Sequence, residues 1–101
     1  MKLIVYTALF ADESIPIEQV GRFYPFAHDK KDVQYIAFTN RKDLVSDFWD
    51  VKYTTLDKNI SPRMNSRFHK WNPAKVLKDF THSIWMDSQC YFVNEPTAIV
   101  N

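Results

Sequence analysis

The sequence predicts an α/β domain, a mostly parallel sheet of about four strands with flanking helices. Three observations point there. β-forming runs recur at 3–10, 33–39, 49–56 and 82–86, and segments with helical spacing or helix-start signals lie between them. The hydrophobic share of 46%, with 16% aromatics, is ample for one core. Alternation of strands and helices implies parallel strands joined by right-handed crossovers. At 101 residues there is room for one domain, 1–101, with no repeat, low-complexity tract or linker inside it.

Taken in order, 3–10 is a nearly unbroken apolar run, as in a strand buried on both faces. Ser14 and Pro16 suit a helix start, and Ile17, Val20, Phe23 and Tyr24 fall at helical spacing before Pro25 ends it. A short charged loop at 29–32 leads to the second strand, 33–39. Residues 40–48 fit a short helix or an irregular crossover, with Leu44, Val45 and Phe48 at helical spacing. Period-two alternation over 49–56 predicts a strand with one wet face. Ser61-Pro62 and Asn72-Pro73 are two successive helix starts, so two consecutive helices are expected, at 62–71 and 73–80. A strand at 82–86, a shorter one at 90–93 and an aperiodic tail at 94–101 complete the chain.

Composition removes several classes of function. With Gly21 the only glycine, neither a dinucleotide-binding glycine fingerprint nor a phosphate-loop motif can be written. A formal charge of +1 argues against general electrostatic capture of nucleic acid or membrane. No stretch approaches the roughly 18 apolar residues of a membrane span, and the apolar run at the N-terminus is too short for a signal peptide. Cys90 stands alone, so no internal disulfide forms and a reducing, cytoplasmic setting is expected. His28, His69 and His82 lack the spacing of a metal site.

In open parallel sheets, ligands bind beyond the carboxyl ends of the strands. That rule selects 7–10, 39–41 and 87–89. In Ser83-Ile84-Trp85-Met86-Asp87-Ser88-Gln89, an apolar strand delivers Asp87 to that edge, with Gln89 on the same side of an extended segment. Two such oxygen-bearing side chains can help hold a hard divalent cation against a diphosphate. Asp87 equally suits the start of a turn, and spacing alone favours that plainer role. Arg63, Arg67 and Lys70 fall at i, i+4 and i+7 and share one helical face, able to hold a diphosphate or to bridge to Asp87. A solvated basic stripe has the same spacing. Lys75 and Lys78 read as solvent-facing, and Trp71 and Trp85 chiefly as core.

Tyr35-Ile36-Ala37-Phe38-Thr39-Asn40, then Trp49 and its strand, then Arg67-Phe68-His69-Lys70, then Ser83-Ile84-Trp85-Met86-Asp87 occur in a familiar order. The chain resembles a family of plant and bacterial glycosyltransferase-like domains, once a domain of unknown function, marked by Phe-Thr-Asp and Ser-Ile-Trp-Ile-Asp segments. The resemblance runs over the N-terminal, donor-binding portion of that domain. It implies a GT-A, Rossmann-like fold and a metal-dependent glycosyltransferase. The donor would be a nucleoside-diphosphate sugar, UDP-sugar first, held with Mn2+ or Mg2+, and the acceptor is unknown. It implies that Thr7 and Ala8 line a base pocket, that Asn40 stands near the nucleoside, and that Arg67 and Lys70 lie beside the donor. Arg63 would add charge there, and Asp87 and Gln89 would occupy the Asp-x-Asp metal motif. Asn40 and Gln89 replace acids of the family pattern, so metal affinity without nucleotide is expected to be low. The alternative is a non-catalytic nucleotide-sugar-binding module that needs a partner. A short sheet also favours a homodimer.

Overall fold

The computed structural model describes residues 2–21, 23 and 33–87. Four strands form one parallel sheet in the order β3-β2-β1-β4: β1 Leu3–Ala8, β2 Val33–Thr39, β3 Asp50–Tyr53 and β4 His82–Trp85. The chain is thus an α/β domain of Rossmann-like layout. β1 is central and buried at every position, which is why its sequence is apolar on both faces instead of alternating. β3 is an edge strand; Asp50, Lys52 and Tyr53 are exposed there, and the Lys52–Asp50 ion pair (3.4 Å) leaves charge on the edge, which discourages further pairing.

Alternation along β1 sorts the core into two layers. Leu3 and Val5 pack with Tyr35, Ala37, Leu44 and Trp49 on one face. Ile4, Tyr6 and Ala8 pack with Ile36, Phe38 and Leu77 on the other. Burial of side chains such as Leu3, Ile4 and Val5 contributes about 1.5–3 kcal/mol each. Residues of the connections from β1 to β2 and from β2 to β3, such as Phe23, Leu44 and Trp49, supply the first layer, and the return from β3 to β4, with Phe10 from just after β1, supplies the second. Thr81 fixes that return: its backbone N–H and its hydroxyl both donate to Lys2 O, at 2.9 and 3.0 Å. This contact sets the register in which Leu3 faces His82.

Three helices flank the sheet: α1 Ile17–Val20, α2 Pro62–Trp71 and α3 Pro73–Val76. The helix at α1 is shorter than the spacing predicts. Ser14 is spent in a turn, its N–H and hydroxyl donating to Asp12 Oδ1 at 2.9 and 2.7 Å, and Gly21 follows the helix at φ 106°, where a Cβ would clash. Phe23 is buried all the same, beside Trp49. α2 begins as expected, with Ser61 Oγ accepting from Met64 N at 3.1 Å and Pro62 in the first turn. Asn72 does not cap α3. Its Nδ2 donates back to Phe68 O at 2.8 Å and closes α2 instead. α3 stops at Val76 rather than reaching 80, because Leu77 turns extended to enter the core and Asp79 adopts φ 58°. β3 is shorter than the expected 49–56, and 40–48 is irregular. The expected end of the first helix at Tyr24 and Pro25, the loop at 29–32, the strand at 90–93 and the tail lie outside the described residues. Among the described residues no helix is long and apolar enough to cross a membrane.

Candidate functional site

The strand order fixes where a site belongs. From β1 the chain steps to β2 and β3 in one direction, then returns to place β4 on the opposite side of β1. The boundary of β1 and β4 is therefore the switch point, the place where open parallel sheets characteristically take their ligands. Asp87 lies two residues beyond β4 and is exposed. Its Oδ1 accepts from Trp85 Nε1 at 3.0 Å. Trp85 meets the Tyr6 ring edge-on at 5.3 Å, and Tyr6 OH donates to Lys70 O at 2.7 Å. A chain of contacts thus runs from Asp87 across β1 to the last turn of α2. Burial pushes the Tyr6 phenol above its ordinary pKa, so it remains a donor at neutral pH.

On the other side of β1, the ends of β1 and β2 are stitched together. Asn40 accepts from Ala11 N at 3.0 Å and donates to Ala11 O at 2.7 Å, imitating a strand partner. Arg41 is buried, and its NH1 donates to Asp12 O and Ile15 O at 3.0 and 2.7 Å. The rest of its guanidinium grips Asp43 through two bonds, at 2.9 and 2.7 Å. That bidentate pairing holds the Asp43 carboxyl below its ordinary range. The two bonds from Ser14 do the same for Asp12. The loop after β1 is thereby pinned at the edge of the sheet.

Between this loop and the end of β3 lies a cleft of about 280 Å³, lined by Asn40, Lys42, Tyr53, Thr54, Thr55 and Lys58 among others. A neighbouring hollow of about 270 Å³ also touches Lys58, together with Asp12 and Glu13, and extends to Ile60 and Pro62 at the start of α2. Two ammonium groups and several hydroxyls stand beside a half-exposed tyrosine ring, and Glu13 adds a carboxylate to the lining, so the cleft is polar and of mixed charge, suited to a ligand with a flat ring and hydroxyl groups. Lys42, Tyr53, Thr54, Thr55 and Lys58 were not among the sequence-derived candidates. The signal for Tyr53 was available, since the third strand also ends at this edge.

The predicted residues are distributed as follows. Thr7 and Ala8 are buried, at 0% and 5% exposure, and Thr7 Oγ1 has no hydrogen-bond partner among the described residues. Asn40 lines the cleft, while its amide is engaged by Ala11. Arg63, Arg67 and Lys70 do share a helical face, and the face of α2 turned inward carries Asn65 and His69 instead. Arg63 and Lys70 are exposed; Arg67 is half-buried, with NH1 3.9 Å from Met64 Sδ. Asp87 makes no ion pair among the described residues, so Trp85 rather than a cation orients it. Among the described residues no three His, Cys, Asp or Glu side chains converge on one point. Gln89, His28 and Cys90 lie outside the described residues.

The inward face of α2 is polar yet satisfied. Asn65 accepts from Asp57 N and donates to Asp57 O and Ser61 O, at 2.9 to 3.1 Å. His69 Nδ1 lies 2.9 Å from Asn65 O, a carbonyl that only accepts, so the proton resides on Nδ1. Its ring stands 5.0 and 4.8 Å from those of Phe10 and Phe38, and burial lowers its pKa, keeping it neutral. No family model, curated protein or solved structure matches the chain.

Proposed function

We propose that the protein binds a nucleoside-diphosphate sugar along the carboxyl edge of its sheet and acts in the cytoplasm as a small, metal-dependent glycosyltransferase. The donor is a UDP-sugar, and the sugar is transferred or slowly released to water. One observation carries this reading: Asp87 and the polar cleft lie on opposite sides of the end of β1, along one edge. From β2 to β4 is two strand intervals, about 10 Å, a span suited to a nucleoside at one end and a diphosphate at the other.

In this reading the cleft beside Asn40 and Tyr53 receives the nucleoside; Thr7 and Ala8, buried at the end of β1, do not line it and act only by supporting the neighbouring strand end. Asp87 and Gln89 would hold Mn2+ or Mg2+. The fit rests on the donor set: Trp85 occupies Oδ1 and leaves Oδ2 for a ligand, as outer hydrogen bonds orient metal-binding carboxylates. The cation would neutralise charge on the departing diphosphate. Arg63, Arg67 and Lys70 add positive charge from the helix that Tyr6 ties to Trp85.

Release of UDP from a panel of UDP-sugars, with and without Mn2+, tests the catalytic part. Metal-dependent release that Asp87→Asn abolishes supports it. Tight UDP binding with no release from any donor would instead establish a binding module.

A further inference from the structure

The net charge of +1 conceals a strong segregation. Residues 61–78 carry five cations, Arg63, Arg67, Lys70, Lys75 and Lys78, and no Asp or Glu. The remaining chain, with eight cations against twelve acids, is net negative. The basic segment coincides with α2 and α3, and four of its five cations are exposed. Beside them α2 turns large apolar side chains outward, because its inward face is taken by Asn65 and His69. Met64, Phe68 and Trp71, at i, i+4 and i+7, are 40%, 44% and 62% exposed, and Ile60 just before the helix is 41% exposed.

We propose that the outer face of α2 docks on an anionic lipid surface, lying flat in the headgroup layer. A helix with aromatic and apolar side chains along one stripe and Arg or Lys along the adjoining one has the composition of an interfacial helix. Tryptophan favours that depth, and each cation adds attraction to anionic headgroups. The charge pattern decides among occupants. A second copy docked α2 against α2 would bring two acid-free basic surfaces together, which repel. A nucleic acid would satisfy the cations but gain little from Met64 or Ile60. A lipid surface uses both stripes at once. Docking draws Arg63, Arg67 and Lys70, the cations that would also serve the donor, toward the lipid, whereas Phe68, Trp71, Lys75 and Lys78 line no part of the carboxyl-edge cleft, so variants at those four positions report docking alone.

The test is co-sedimentation of the whole chain with vesicles of phosphatidylcholine and phosphatidylserine, against phosphatidylcholine alone. Binding to the anionic vesicles only, with a blue shift in tryptophan emission that Trp71→Phe removes, is expected. The double variant Phe68→Ser, Trp71→Ser should abolish binding while melting at the parent temperature. Lys75→Gln and Lys78→Gln should each weaken it about fivefold. Equal retention of all variants, no sedimentation with anionic vesicles, or equal sedimentation with phosphatidylcholine alone would overturn the proposal.

Discussion

Asn40 staples the end of β2 to the loop after β1. Its amide both accepts from Ala11 N and donates to Ala11 O, at 3.0 and 2.7 Å. A carboxylate keeps the first bond and sets an oxygen against the carbonyl in place of the second. Asn40→Asp therefore loses one hydrogen bond and leaves a part-buried acceptor facing a charge, costing about 1–3 kcal/mol. For a domain of this length each kcal/mol lowers Tm by roughly 4–8 °C. Asn40→Ala loses both bonds without the repulsion and should cost about 1–2 kcal/mol. The carboxyl introduced by Asn40→Asp regains the donor when protonated, so its folded pKa is raised above the unfolded value near 4. Its deficit should accordingly be full at neutral pH and shrink as pH falls through that raised pKa. Thermal melts from neutral to acid pH measure this. If Asn40→Asp melts with the parent at neutral pH, or if its deficit is independent of pH, the side chain is not the staple described.

Four further outcomes are expected. His69 is held neutral by burial, so its folded pKa lies below the unfolded value of about 6.5. Between those two values the unfolded chain binds the extra proton, and stability falls on acidification by at most about 1.4 kcal/mol per pH unit; His69→Phe should remove this slope in urea titrations. Asp12 and Asp43 have lowered pKa values, so their contributions persist to more acidic pH and are lost only below about 4. Arg41→Lys retains the charge but not the fork that serves Asp43 and two carbonyls, and should lower urea stability by about 1–3 kcal/mol. Trp85→Phe keeps the ring against Tyr6 but removes the donor to Asp87; the melt should change little while Mn2+-dependent UDP affinity falls about 10–100-fold.

The strands and the start of α2 were legible because local signals and tertiary demands agree. The apolar run of β1 means burial on both faces, and Ser61-Pro62 means a cap. Asn72-Pro73 looked like the same signal, yet the side-chain amide donates back to the Phe68 carbonyl and makes no cap bond to the N–H groups ahead. Ser14 was misread as a cap for a similar reason: Asp12, two residues back, offered a better acceptor. Strand order left no local trace, and with it the pairing of β4 to β1 that locates Asp87 at the switch point. The inward turn of Asn65 and His69 was hidden because the more hydrophobic Met64 and Phe68 suggest the opposite face. The cleft residues 53–58 formed no motif; they converge only because β3 ends early and the chain bends there.

The central claim is that Asp87 and the edge of the sheet form a metal-assisted site for a nucleoside diphosphate. Calorimetric titration of UDP into the protein, with and without Mn2+ and repeated on Asp87→Ala, tests it most directly. Binding that strengthens with Mn2+, and loses that strengthening in Asp87→Ala, is the expected result. UDP binding that is absent, or indifferent to both Mn2+ and Asp87, would contradict it.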